Sequence, residues 1–169
     1  MMTDDLLAFA RPVRHEANNL IAVLSGTADI LLRVAATDRD RARAERVREA
    51  TQQLDGLLKA YLSLAVPPPD AGGTDAARVL TLLHPLMVLL LGPGRSVEIE
   101  LPPRLRRVRM PAPELQAVAL RLAREAAAAS PPGGGLRVAV EAMPEGATLR
   151  VTPTPEGEGP PPVFLPAAP

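Results

Sequence analysis

With 169 residues, the chain is long enough for one domain or two small ones and can bury a real core. Apolar residues make up 47% of it and aromatic ones only 2%, so that core is built from Leu, Val and Ala, and an aromatic platform for single-stranded nucleic acid is excluded. Nineteen basic and nineteen acidic side chains cancel without a long run of either sign, so no field gathers nucleic acid or an anionic membrane surface.

The absence of Cys removes disulfides, thiolate catalysis and Cys-based zinc sites together. Two histidines, His15 and His84, are too few for a His-rich metal site. The opening Met-Met-Thr-Asp-Asp-Leu-Leu lacks the basic and long apolar regions of a secretory signal, which reads as a cytoplasmic protein. The longest apolar run, Val79 to Leu91, is broken by Thr81, His84 and Pro85 and falls short of the roughly 20 residues of a membrane span.

In chain order, residues 4 to 66 carry helical periodicity in two stretches. Val13, Ala17, Leu20, Leu24, Ala28 and Leu31 recur in steps of three and four, as do Val47, Thr51, Leu54, Leu58, Tyr61 and Ala65. The first predicts a helix over 4–36 with a break or restart at Pro12, the second a helix over 38–66 capped by Asp38. A short connection between two amphipathic helices makes an antiparallel hairpin. One hairpin cannot cover both of its apolar stripes, so the expectation is a homodimer forming a four-helix bundle.

Pro67-Pro68-Pro69 and Gly72-Gly73 mark a linker over 67–73. Beyond it the pattern becomes mixed. Thr74 or Asp75 caps a helix reaching Leu91; Ser96 to Leu101 alternates with period two; Leu105 to Met110 reads as a second short strand; Pro111 to Ser130 reads as a helix. Leu136–Glu141 and Ala147–Val151 form a hairpin around Pro144-Glu145-Gly146. Residues 74–152 thus predict a compact α+β domain, and 153–169, rich in Pro, Gly and Glu, a flexible tail.

The stretch that carries chemistry is Arg14-His15-Glu16-Ala17-Asn18-Asn19-Leu20. His15 and Asn19 are four residues apart and share one helix face, while Val13, Ala17, Leu20 and Leu24 mark the apolar stripe, so the imidazole points to solvent. A neutral ring nitrogen can attack phosphorus, a carboxylate at Glu16 can hold the proton of the other nitrogen, and the Asn19 amide can orient the group.

His-Glu-x-Asn-Asn-Leu followed by Ile21 to Leu32 resembles the H-box helix of the dimerisation and histidine-phosphotransfer domain of sensor histidine kinases. In that family a Bergerat-type ATP-binding α/β sandwich follows the hairpin. Asp75 to Gly92, Val97 to Pro102, Arg107 to Pro111 and Glu114 to Leu120 occur in the matching order, so the resemblance spans about residues 10 to 151. It departs where a working kinase places two Asn residues on its N-box helix: here stand Arg121 and Glu125, with alanines at 126–129. A guanidinium cannot ligate a cation. The family's Asp-x-Gly-x-Gly pocket is replaced by Val151 to Gly159, and Gly133-Gly134-Gly135 reads as a turn rather than a phosphate cradle.

Keeping the histidine and losing the nucleotide site looks like the histidine phosphotransferases of the ChpT kind. The resemblance implies a dimeric α+β protein: a helical hairpin over 1–66, then a small, degenerate Bergerat-type α/β sandwich. It implies phosphorelay through His15 without binding ATP, with Glu16 and Asn19 in support. It also implies no cofactor in this chain, a divalent metal carried by the partner, and as partners the receiver domains of response regulators or hybrid histidine kinases. The rival expectations are an ATP-dependent histidine kinase with an aberrant nucleotide site and a non-catalytic dimeric scaffold. Arg11, Arg14 and Arg33 are candidate flanking contacts better read as a solvated helix face, and His84, inside an apolar run, reads as a packed histidine.

Overall fold

The computed structural model describes residues 2–65, 72–155 and 157–169, with side chains described from residue 12 onward. The expected linker positions 67–71 and the Arg11 side chain lie outside the described residues. The chain divides into two compact units, Met1–Val66 and Pro67–Pro169.

The first unit is a pair of helices, α1 (Met2–Val34) and α2 (Asp38–Ala65). α1 runs through Pro12 without the expected break. A proline inside a helix removes one backbone donor, and near the N-terminus a single lost bond leaves the longer downstream run intact. The cap of α2 also differs from expectation. Thr37, not Asp38, fills the position: its Oγ1 accepts from the Asp40 backbone N–H at 3.1 Å and donates to Asp40 Oδ2 at 2.7 Å. Thr37 thus satisfies one of the free donors of the first turn, and the Asp40 carboxylate, three residues after the cap, holds its hydroxyl in place.

The second unit is α+β: two helices and a four-stranded mixed sheet of order β1-β2-β3-β4. Asp75 caps α3 (Ala76–Leu91) by accepting from the Arg78 N–H at 3.0 Å. β1 (Val97–Glu100) pairs in parallel with β2 (Gly135–Met143), and α4 (Ala112–Ala129) is the crossover between them. β2 turns through Pro144 and Glu145 into antiparallel β3 (Gly146–Thr154), with Val138 opposite Val151.

Alternation along the strands sets the two faces. Leu136, Val138 and Val140 point into a core shared with Leu149 and Val151, with Leu80, Leu83 and Met87 of α3, and with Leu115, Ala119 and Leu122 of α4. The opposite face is polar, and there Arg137 pairs with Glu100 at 3.2 Å and Glu98 at 4.0 Å.

Two expectations are corrected in this unit. Residues 105–110 form no strand: only Val108 bridges, to Thr74 on one side and Ala167 on the other. Pro102, Pro103 and Pro111 flank the segment and cannot donate to a ladder, so it contributes one buried valine rather than a paired strand. Nor is 153–169 merely a tail. β4 (Val163–Pro166) pairs antiparallel with β3 at the sheet edge, and Leu165 is fully buried. Leu165 at the inward position, with Val163 packed against the core and Ala168 buried, outweighed a composition that reads as unstructured. Among the described residues, no helix is long and apolar enough to cross a membrane.

Candidate functional site

The helical unit owes its arrangement to small side chains. Ala28 of α1 and Ala44 and Thr51 of α2 are buried, while Ala17, Ile21, Ser25 and Leu32 are half-buried on the same α1 face. Ala28 and Ala44 are equally far from Ala36 at the turn, and so are Ile21 and Thr51. The two helices therefore run antiparallel in a simple register about Ala36, packed through small residues.

Within one hairpin the large apolar side chains along these helices stay uncovered. Val13, Leu20, Leu24, Leu31 and Val34 on α1, and Val47, Leu54 and Tyr61 on α2, are each at least 42% exposed. Their spacing explains why. Val13, Ala17, Leu20, Leu24, Thr27, Leu31 and Val34 alternate steps of four and three, the heptad seam of a coiled coil. Val47, Thr51, Leu54, Leu58, Tyr61 and Ala65 do the same. At about 100° per residue the centres of these seams lie roughly 90° around α1 and roughly 50° around α2 from the intrachain contact, in the same rotational sense, with Ala17 and Thr51 on the shared edge. In antiparallel helices that face each other, the same sense of rotation leads to the same side of the pair. Leu31 and Val34 of α1 accordingly meet Val47 of α2 in one open cleft of about 390 Å³ near the turn.

His15 is exposed and projects to the other side of the hairpin. Asn19, one turn on, is also exposed and lies about 40° away around the helix, so the two share a face. Glu16 is exposed as well but points about 100° from His15. Among the described residues, no hydrogen bond or ion pair joins His15, Glu16 and Asn19. The structure brings His15 and Asn19 to one surface and leaves Glu16 at its margin. Arg14 is half-buried on the packing side, and Arg33 bonds the Asp29 carbonyl at 3.4 Å. His84 Nε2 donates to the Val97 carbonyl at 3.0 Å, tying α3 to β1.

Sequence reading passed over one charged group on the flank of α2 that, by helix rotation, shares the side of the hairpin on which His15 leaves α1. Lys59, the only lysine of the chain, pairs with Asp55 at 2.7 Å on α2. Counting residues outward from Ala36 would have found it, because Leu57, two positions before Lys59, is as far beyond the turn as His15 is before it.

In the second unit, Arg121 and Glu125 of α4 are exposed and paired at 3.2 Å. Gly133 takes φ +78° at the turn after α4, while a Cβ on Gly134 or Gly135 would stand 2.5 Å from the carbonyl oxygen of Thr154 or Ser96 respectively. These glycines let β2 close against its neighbours. Arg95 binds the same turn, its Nε donating to the Gly134 carbonyl and its Nη1 to that of Leu91 at 3.2 Å, which ties the end of α3 to the start of β2.

No family model and no curated protein matches the sequence. Among solved structures, the chain is similar to full-length ShkA in complex with AMPPNP. The identity is 18% and the TM-score 0.40, over 85% of this chain and 32% of that one. The chain spans about a third of that protein's length. A likeness this distant carries no argument about activity.

Proposed function

We propose that the protein is a dimeric histidine phosphotransferase that carries a phosphoryl group between receiver-domain aspartates on His15. The observation that carries this reading is the division of the hairpin surface. An exposed imidazole stands on one side, and an unfilled heptad seam on both helices stands on the other. A second copy covers that seam in a four-helix bundle, where eight half-exposed side chains per chain gain roughly 1 kcal/mol each. His15 then remains on the outside, open to a partner.

In the forward step the neutral imidazole attacks the phosphorus of an aspartyl phosphate. The N–P bond forms, the acyl O–P bond breaks, and the aspartate leaves as carboxylate with the electron pair. The proton on the other ring nitrogen stays there, and Glu16 is assigned to hold it once the ring becomes cationic. Asn19 is assigned to orient the phosphoryl group. Repetition of the step in reverse on a second receiver completes the relay. Such transfer depends on positioning and charge neutralisation, and the receiver supplies its own divalent metal, so this chain is assigned no cofactor. The absence of ATP use is part of the proposal. It is supported by the Arg121–Glu125 pair on α4, where a metal-binding amide pair would be needed, and by the packing of Gly134 and Gly135 against protein.

The deciding experiment incubates the full chain with a receiver domain charged by acetyl phosphate. Acid-labile, base-stable label on the wild type and none on His15→Ala is the expected result. Label acquired from ATP alone would identify a kinase, and an intact effect on signalling in His15→Ala would identify a scaffold.

A further inference from the structure

We propose that Lys59 is the charge on α2 that meets the phosphoryl group on His15; this rests on the phosphotransfer reading above. Three observations place it there. Lys59 is two residues from Leu57, the position level with His15 across the hairpin, which is an offset of about 3 Å along the axis. By helix rotation it leaves α2 on the flank opposite Leu54 and Tyr61, the side of the hairpin on which His15 leaves α1. Finally, its ammonium is held by Asp55, which is the less exposed partner at 28% against 55%.

The chemistry of the pair fits a group that exchanges partners. Neighbouring helix axes lie about 8–10 Å apart, a gap that an extended lysine and a phosphorylated imidazole span together. A surface pair spaced four residues apart on one helix is weak. A phosphoryl dianion offers twice the charge of the Asp55 carboxylate, so the ammonium turns to it when it arrives. Asp55 keeps Lys59 on the correct flank of α2 while His15 is empty.

The test uses the full chain and phosphoramidate, a donor small enough to need no docking surface. The imidazole nitrogen of His15 bonds to phosphorus, the P–N bond of the donor breaks, and ammonia leaves with its electron pair. Rates of phosphohistidine formation are compared for wild type, Lys59→Gln and Lys59→Arg, at low salt and at high salt. Lys59→Gln is expected to form phosphohistidine about fivefold more slowly at low salt, the upper end for a solvent-exposed charge pair. Lys59→Arg is expected to restore the rate, and high salt to shrink the difference. A merely structural lysine gives neither the rescue nor the salt dependence. Wild type and Lys59→Gln reacting equally fast would overturn this inference and leave the relay standing. A wild type that takes label neither from phosphoramidate nor from a charged receiver would overturn both.

Discussion

His15 and Leu20 leave α1 about 140° apart, one toward solvent and the other along an unfilled heptad seam. One helix therefore carries the proposed reactive surface and the proposed assembly surface on faces that do not compete for space. Association through the second would leave the first free.

Leu20→Glu tests the assembly surface. On a lone hairpin an exposed leucine exchanged for glutamate changes stability by no more than about 0.5 kcal/mol. In a bundle it would bury a carboxylate without a partner, at a cost of several times that. Sedimentation should find wild type at twice the chain mass and the variant at the chain mass. A variant that dimerises like wild type would assign the interface elsewhere.

Asn19→Ala should slow transfer from a phosphorylated receiver by about tenfold, the scale of one lost charge-orienting contact. Because Asn19 is exposed, its thermal midpoint should match that of wild type. A normal transfer rate would remove Asn19 from the site.

Gly135→Ala addresses the close approach of β2 to the chain before β1. The new methyl would stand 2.5 Å from the Ser96 carbonyl oxygen, the same oxygen that accepts from the Leu136 N–H at 2.9 Å. The backbone must shift, and urea denaturation should report a loss of about 1–3 kcal/mol. An unchanged midpoint would mean that this pairing is looser than the register indicates.

Leu165→Ala asks whether β4 belongs to the fold. Its side chain is fully buried in the second unit's core, so truncation should cost about 2–5 kcal/mol. A segment that merely trailed from the sheet would leave the denaturation midpoint where it was.

Much of the candidate site was legible beforehand because helices are local. The four-residue spacing of His15 and Asn19 and the apolar steps beside them fix which residues share a face, whatever the helix packs against. The same reasoning named the helices of the second unit and the hairpin of β2 and β3 nearly to their ends. It could not name the partner of each face. Periodicity marked Ala28 and Thr51 together with Leu20, Leu24, Leu31 and Leu54 as stripes to be covered, and within the hairpin only the small members, Ala28 and Thr51, joined by Ala44, took the contact, because they allow the closer approach.

Sequence alone determined the helical hairpin, the α+β character of the second unit, and the outward direction of His15, since each depends on neighbours within a few residues. Tertiary structure decided three other matters: which of two adjacent seams α1 spends on α2, that Leu105 to Met110 bridges through Val108 alone, and that a proline-rich end closes the sheet with Leu165 inside. Those outcomes depend on which distant surfaces compete for one apolar side chain, and that competition leaves no trace in local spacing or composition.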